Sequence, residues 1–170
     1  MKKQWISLSL IAGLGLFTMA SCGSDTTTEE ATVETEQVET DVVSDEVVEL
    51  TLEGDDQMKF NKNQLHAKAG QKVHLTLTHT GTMDINVMGH NFVLLTADAD
   101  VDAFVAAAQV AKETDYIPAS HEGDIIAHTD MIGGGESATV EFTAPEPGKY
   151  TFICSFPGHA GMMKGVFIVE

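Results

Sequence analysis

Apolar and polar residues alternate with a period of two along most of the chain beyond residue 47. Residues 72–80 predict a half-buried strand. Its apolar face comprises Val73, Leu75, Leu77 and His79. The same alternation occurs in SATVEFTA, KYTFICSF and GVFIVE, while VVELTLE, NVMGHNFVLL and DIIAHT predict three more strands. Turn sequences such as PEPGK separate these short runs. The pattern therefore predicts an all-β domain, folded as an antiparallel sandwich or barrel.

One segment departs from this alternation and predicts a single inserted α-helix. Between residues 98 and 118, apolar side chains recur three and four positions apart, as on one face of a helix. These positions are Val101, Phe104, Val105 and Ala108. Asp98 or Asp100 is a suitable N-cap, and Pro118 lies beyond the expected end.

The N-terminus has the pattern of an export signal. Two lysines precede an apolar run of about 15 residues, which ends in small residues before Cys22. The run is short for a membrane-spanning helix, which needs about 20 residues. The sequence MASC resembles the lipobox of bacterial lipoproteins, in which the cysteine is lipidated and becomes the mature N-terminus. We therefore predict a lipoprotein signal peptide over residues 1–21 and lipidation of Cys22. An ordinary signal peptide cleaved after Ala20 or Ser21 is the alternative, and both imply export.

Residues 22–47 differ in composition from the segments on either side. Beyond Gly23 they are rich in Thr, Glu, Asp and Val, with no basic residues, aromatics, Gly or Pro. Such a segment buries too little apolar surface to offset its chain entropy, and its charges repel one another. It predicts an acidic disordered tether, because the many β-branched residues oppose the alternative of a charged helix. The remaining residues, 48–170, are sufficient for one domain with its own core.

Charge and cysteine content limit what this domain does. The chain has a formal net charge of −17, of which residues 48–170 retain about −10. Because nucleic-acid binding needs a basic surface, we expect no nucleic-acid partner. The two cysteines are Cys22 and Cys154, so lipidation of the first leaves the second without a disulfide partner. An unpaired thiol in an oxidising compartment favours a metal ligand or a nucleophile.

The candidate chemistry lies in CSFPGHAGMMKG, residues 154–165. A nucleophilic cysteine favours a helix N-terminus that lowers its pKa, but SFPG is turn sequence. A zinc site favours further cysteines over a thioether. A thiolate combined with imidazoles and a weak axial methionine is the ligand set of a blue-copper electron-transfer centre. The segment supplies Cys154, His159 and either Met162 or Met163, so a second histidine must come from another strand.

The second histidine has one leading candidate. His79 lies on the apolar face of its strand and is interpreted as a hydrogen-bonded core residue. We expect His66, His74 and His121 at the surface. His128 is expected at the surface or at the edge of an apolar patch. His90 in NVMGHNFVLL has apolar neighbours on both sides, and Gly89 lets the backbone approach another group closely. The residues alone favour His90 without deciding the choice.

Three motifs resemble those of the azurins, a family of cupredoxins. They are VMGHNFVLL, IAHTDMIGGGES and CSFPGHAGMMKG, and with GDDQMKFN the resemblance covers nearly all of residues 48–170. It implies a Greek-key β-barrel or sandwich of about eight strands, with one helix outside it, binding one copper ion per chain as Cu(I) or Cu(II). The implied copper ligands are His90, Cys154, His159, Met163 as the axial thioether, and the carbonyl of Gly89 as a weak opposite contact.

The resemblance also implies contacts beyond the ligands. Asn91 is expected to tie the His90 strand to the Cys154 loop, and backbone N–H groups of Asn91 and Phe156 are expected to point at the thiolate. An apolar docking patch is implied around His159, with the edge of its imidazole at the surface. The candidate patch residues are Met58, Met83, Met88, Gly89, Phe156, Pro157, Gly158 and Gly161. Ordinary core packing is the alternative for each methionine.

The predicted function is one-electron transfer by a membrane-tethered protein, without catalysis. By resemblance its partners are redox proteins such as c-type cytochromes, reductases or peroxidases. We expect a monomer in the cell envelope or periplasm, anchored to a membrane by lipid on Cys22. A copper-binding or delivery protein of the envelope is the alternative, which predicts an open site and further Met or His clusters. A structural or adhesion module is a second alternative, which leaves Cys154 without a role.

Overall fold

A computed structural model of the chain describes residues 47–170. The predicted signal peptide, most of the predicted tether and Cys22 therefore lie outside the described residues. Eight strands are present in the described part: β1 Val48–Gly54, β2 Gln64–Ala67, β3 Lys72–His79, β4 Val93–Leu95, β5 Ile125–His128, β6 Ser137–Thr143, β7 Gly148–Ile153 and β8 Lys164–Val169. The helices there are α1 Ile85–Met88 and α2 Val101–Ala108, with 3₁₀ turns at Lys112–Thr114 and Ala119–Asp124. None of these helices is long and apolar enough to cross a membrane.

The strands form two sheets. The smaller sheet has the order β1-β3-β6, and the larger has the order β2-β8-β7-β4-β5. The β1–β3 and β2–β8 pairs are parallel, whereas the other pairs are antiparallel. The predicted all-β sandwich of about eight strands is therefore confirmed, although two strand pairs are parallel.

The core lies between the two sheets. In β3 the predicted apolar face is buried, with Val73, Leu75 and Leu77 at most 1% exposed, while the residues between them are half-buried. These side chains pack in one cluster with Phe152 and Phe167 from the larger sheet. A fully buried Leu or Phe contributes about 1.5–3 kcal/mol relative to an exposed one. The apolar side chains that this alternation places between the sheets therefore stabilise their packing against each other.

Helix α2 confirms the predicted inserted helix and selects its N-cap. The Asp100 carboxylate accepts a hydrogen bond from the Ala103 N–H at 3.0 Å. Phe104 and Ala108 are buried and belong to a second apolar cluster, which β4 and β7 also supply. The helix ends well before Pro118. The 3₁₀ turn Lys112–Thr114 lies between them, and it is followed by Asp115 and Tyr116, which have left-handed backbone conformation.

One strand prediction was wrong in part, and one strand was not predicted. NVMGHNFVLL is not a single strand: its first part is the one-turn helix α1, and only Val93–Leu95 forms β4. The helical turn begins because the Asp84 carboxylate accepts a hydrogen bond from the Asn86 N–H at 2.9 Å. Strand β2 was not predicted, since its four residues carry only two buried side chains and it forms by pairing with β8, over a hundred residues later.

Candidate metal centre

Two strands of the larger sheet bring the distant candidate residues together. Val93 in β4 is paired with Ile153 in β7, so His90, just before β4, and Cys154, just after β7, lie at the same end of the sheet. His90 is held there by an isolated bridge in which it exchanges two backbone hydrogen bonds of 2.9 Å with Ile132. His159 comes from the turn between β7 and β8.

The side chains of His90, Cys154 and His159 form a compact buried cluster. Their nitrogen and sulfur atoms all lie within 4.8 Å of one another, and within residues 47–170 this is the one cluster of three or more such side chains. The Cys154 Sγ lies 3.6 Å from the His159 Nδ1 and 3.8 Å from the Gly89 carbonyl oxygen. His90 and Cys154 are fully buried, and His159 is 3% exposed. The Gly89 carbonyl, which the resemblance implies as a weak contact to the metal, therefore also lies beside the cluster.

The orientation of His90 is set by groups outside the cluster. Its Nε2 lies 2.9 Å from the carbonyl oxygen of Asp55, and its Nδ1 lies 2.9 Å from the carbonyl oxygen of Gly89. A neutral ring donates from one nitrogen only, and donation from Nε2 to Asp55 is the tautomer that leaves the Nδ1 lone pair for a metal ion. The His79 ring stacks on the His90 ring at 4.2 Å. His79 is itself buried: its Nδ1 accepts from the Gly81 N–H and its Nε2 donates to the Met88 carbonyl. The interpretation of His79 as a hydrogen-bonded core residue is thus confirmed.

The structure separates the two candidate methionines. Met163 is fully buried, whereas Met162 is 56% exposed. A Cβ built on Gly54 would lie 3.2 Å from the Met163 Cε and 2.7 Å from the His90 Cδ2, so the thioether lies beside the imidazole. A larger residue at position 54 would push against both. The position of Met163 therefore favours it as the axial group.

Asn91 and Ser155 join the two segments that carry the cluster. The Asn91 Nδ2 donates to the Ser155 Oγ at 2.8 Å, and the Ser155 N–H donates to the Asn91 Oδ1 at 2.9 Å. This is the link expected of Asn91. Its partner Ser155 was not singled out from the sequence, although a serine next to the cysteine in a turn was the available signal.

Burial and two backbone donors act in opposite directions on the Cys154 thiol. Burial raises its pKa and outweighs the hydrogen bonds from the backbone N–H groups of Asn91 and Phe156, which lower it, so that the pKa of the thiol is about 11. These are the two donors expected from the resemblance. In the metal-free protein the thiol is therefore protonated at neutral pH, and a metal ion must displace that proton.

Comparison with known proteins identifies the family. A family model described as copper binding proteins, plastocyanin/azurin family, matches residues 46–170. The chain belongs to this family. It is 38% identical to azurin from Pseudomonas aeruginosa over 126 residues, covering 71% of this chain and 84% of that protein.

Two further relatives extend the comparison. Over 118 residues the chain is 38% identical to outer membrane protein H.8 from Neisseria meningitidis, a match covering 68% of this chain and 63% of the relative. The chain thus spans less than two thirds of that relative's length. Auracyanin A, a "blue" copper protein from Chloroflexus aurantiacus, matches in structure with a TM-score of 0.65 and 28% identity. That match covers 74% of this chain and all of auracyanin A.

The cluster fits the copper that the plastocyanin/azurin family binds. It offers one thiol sulfur and two imidazole nitrogens at close range, with a thioether beside them. A soft sulfur donor with imidazoles and a weak thioether is the donor set of a blue-copper site. The chain therefore binds one copper ion.

We expect replacement of Met163 by leucine to raise the reduction potential of the copper-loaded protein. An alkyl group lacks the weak donor that favours Cu(II), and each ~59 mV corresponds to a tenfold change in a one-electron equilibrium. Protein-film voltammetry measures the shift. Met162→Leu is the matched control, and a larger shift from Met162→Leu than from Met163→Leu would reverse the axial assignment.

We expect the metal-free protein to lose stability between about pH 6.5 and pH 4. Burial, followed by the neighbouring His90 and His79, lowers the pKa of His159 from 6.5 to about 4. The unfolded chain therefore takes up this proton at a higher pH than the folded chain. The contribution of neutral His159 to the free energy of unfolding is complete above pH 6.5 and is lost as the pH falls from 6.5 to 4. A shift of this size corresponds to about 3 kcal/mol. Urea unfolding at several pH values measures it, and metal-free His159→Gln should show a shallower decrease; equal slopes would contradict the assignment.

The predicted patch residues differ in their exposure. Met83 is 42% exposed and Gly158 is exposed, whereas Met58, Met88 and Pro157 are half-buried. Of the other three, Gly161 is exposed, Phe156 half-buried and Gly89 buried. Val87 is 62% exposed and was missed by the sequence analysis, because it was assigned to a strand rather than to α1. His159 itself is more deeply covered than the resemblance implied.

Proposed function

We propose that this protein transfers single electrons through a mononuclear blue copper site. The observation that carries the proposal is the buried cluster of His90, Cys154 and His159, whose donor atoms lie within 4.8 Å of one another. When bound there, copper supplies reversible one-electron chemistry between Cu(I) and Cu(II). We assign its ligands as His90 Nδ1, Cys154 Sγ, His159 Nδ1, the Met163 thioether and the weak contact from the Gly89 carbonyl.

The packing around the ligands supports transfer of an electron rather than of the metal. His90, Cys154 and Met163 are fully buried, and hydrogen bonds fix the His90 ring and the Cys154 loop from outside. Preorganised ligands reorganise little when the charge of the metal changes, which favours fast electron transfer. A delivery protein needs a more open, exchangeable site. We therefore place copper delivery second and propose no catalytic reaction.

We propose that redox partners dock on the apolar surface near His159. Met83, Val87 and Met162 are large apolar side chains that are exposed, and the proposed patch also includes Pro157 and Gly158. The loops that carry this surface connect to the ligands directly: a Cβ on Gly89 would lie 3.0 Å from the Phe156 ring. Suitable partners are c-type cytochromes, reductases or peroxidases. We propose that the protein meets them as a monomer.

We expect Met83→Lys to slow electron self-exchange severalfold while leaving the visible spectrum and the reduction potential nearly unchanged. The lysine places an unpaired charge in a contact that must exclude water. Self-exchange measured by NMR line broadening, at two salt concentrations, separates this effect from long-range charge, which is screened beyond about 8 Å at physiological ionic strength. The control is Val110→Lys, which adds the same charge at an 86% exposed apolar residue just beyond α2. Equal rates for the two variants would place docking on another surface.

We further propose that the protein is exported and anchored to a membrane of the cell envelope through lipid on Cys22, with residues 22–47 as a tether. The support is the MASC sequence after a short apolar run, together with similarity to a relative named as an outer membrane protein. Two or three acyl chains, at about 0.8 kcal/mol per buried CH₂, are sufficient for stable anchoring.

A further inference from the structure

A carboxylate outside the ligand cluster bridges two loops beside His90. The loop that follows β1, residues 55–59, and the segment between β3 and α1, residues 80–84, are joined by Asp56. Its Oδ2 accepts from the Thr82 N–H at 2.9 Å, and its Oδ1 accepts from the Met83 N–H at 3.2 Å. The side chain is 27% exposed. Both oxygens are therefore used to hold one segment to the other.

The space around this carboxylate is shaped to receive it. A Cβ built on Gly81 would lie 2.0 Å from the Asp56 Oδ1 and 2.2 Å from its Cγ. Any residue other than glycine at position 81 would displace the carboxylate. The glycine and the aspartate therefore form a matched pair across the two segments.

The loop held by Asp56 carries the acceptor that orients His90. The carbonyl oxygen of Asp55 lies 2.9 Å from the His90 Nε2, and the peptide bond that contains this carbonyl joins Asp55 to Asp56. The carboxylate of Asp55 accepts from the Gln57 and Lys59 N–H groups, so it stabilises its own loop and not the bridge. Met58 in the same loop has a φ of 57°, a conformation that costs energy for a residue with a side chain. Hydrogen bonds within the loop, including that from the Met58 N–H to the Asp55 carbonyl at 3.1 Å, set its local shape. Asp56 is the residue of this loop whose carboxylate holds it to residues 80–84.

Asp56 also faces the ring that stacks on His90. Its Oδ1 lies 3.7 Å from the His79 Nε2, and the His79 and His90 rings are 4.2 Å apart with an angle of 12° between their planes. Asp56 is therefore linked to His90 in two ways. One link runs through the Asp55 carbonyl, and the other runs through the His79 ring.

We propose that Asp56 is a positioning residue for the copper ligand His90: by bridging residues 55–59 to residues 80–84 it holds the Asp55 carbonyl and the His79 ring in the places that orient the His90 imidazole. The inference rests on the proposed function, in which His90 binds copper. Loss of a hydrogen-bonding partner behind a metal-ligating histidine costs about 10–100-fold in metal affinity. Because Asp56 acts through the Asp55 carbonyl and not directly, we expect the lower end of that range.

The test uses two independent ways of breaking the bridge, each with a matched control. Asp56→Ala removes both hydrogen bonds and the charge, whereas Gly81→Ala displaces the carboxylate and keeps the charge. Asp84→Asn removes one negative charge nearby from a carboxylate that bonds only within its own turn, to Asn86, and asparagine keeps the N-cap. Gly123→Ala adds a methyl group where nothing lies within 4 Å.

Two quantities are measured on each variant. The first is Cu(II) affinity by competition with a chelator, together with the EPR spectrum of the loaded protein. The second is the exchange rate of the His90 Nε2–H by NMR in the metal-free protein, which reports on the bond to Asp55 without copper. We expect Asp56→Ala and Gly81→Ala to lower affinity about tenfold, to change the EPR spectrum and to speed exchange, with the two controls within twofold of the wild type. Asp56→Asn keeps one acceptor oxygen and should fall between them.

Several outcomes would overturn the inference. If Asp56→Ala and Asp84→Asn changed affinity equally, the effect would be one of charge alone. If Gly81→Ala left affinity and exchange unchanged, the bridge would not act on His90, and lowered thermal stability with an unaltered EPR spectrum would show a purely structural role. Failure of the wild-type protein to form a blue copper complex would instead refute the proposed function.

Discussion

Replacing Cys154 with alanine is expected to abolish the blue colour of the copper-loaded protein while leaving the sandwich folded. The intense visible band of a blue copper site arises from its thiolate ligand, and within residues 47–170 Cys154 is the one cysteine. The side chain is fully buried, so alanine leaves a small cavity that costs about 1 kcal/mol, a typical effect for a point substitution. Alanine is preferred to serine, because serine would bury a hydroxyl whose hydrogen bonding is not assured.

Absorption after addition of Cu(II), with far-UV circular dichroism of the same samples, measures both parts of this expectation. Met162→Ala is a suitable control, since it removes an exposed sulfur from the same turn. A Cys154→Ala protein that still turned blue would refute the ligand assignment. Loss of the dichroism signal would show that the substitution unfolds the domain, and Cys154→Val would then test the ligand role with the cavity filled.

Replacing Cys22 with serine is expected to release the protein from the membrane or to block its processing. Without the thiol no acyl chain is attached, and the acidic segment that follows should not bind a negatively charged lipid surface. The copper site should be unaffected, because its proposed ligands all lie in residues 89–163. Membrane fractionation with labelled fatty acid, alongside the visible spectrum, measures location and site separately.

Ser21→Ala is the natural control, since it changes the residue before the proposed cleavage point and keeps the cysteine proposed to be lipidated. Unchanged membrane association of Cys22→Ser, with no fatty acid incorporated into the wild type, would refute lipidation. Soluble wild-type protein with a mature N-terminus at Ser21 or Cys22 would support the ordinary signal peptide instead.

Local features of the fold were predicted well from the sequence. The alternation in residues 72–80 placed Leu75, Leu77 and His79 in the core, and the apolar spacing after Asp100 located helix α2. Cys154, His159 and Met163 were found as candidates because they lie in one turn, where spacing along the chain reflects distance in space. The strand assigned to NVMGHNFVLL was wrong in its first half, because the Asp84 cap outweighed the β-branched residues that follow it.

The remaining features depend on contacts between distant parts of the chain. No pattern in residues 55–59 shows that the Asp55 carbonyl receives the His90 Nε2–H, or that Asp56 bridges to Thr82. Strand β2 likewise exists through its pairing with β8. Such contacts join residues between 26 and about a hundred positions apart, so no periodicity records them.

The sequence by itself determined the class of fold, the donor types and the turn that carries three of them, because hydrophobic alternation and ligand spacing are properties of short segments. Tertiary structure decided which histidine joins that turn, since the pairing of β4 with β7 brings His90 to Cys154. It also decided between the two methionines, burying Met163 beside His90 and exposing Met162, a difference that one residue of spacing does not reveal. The groups that orient the ligands were set in the same way, because a carbonyl or a carboxylate acts on a ligand only when folding brings the two within hydrogen-bonding distance.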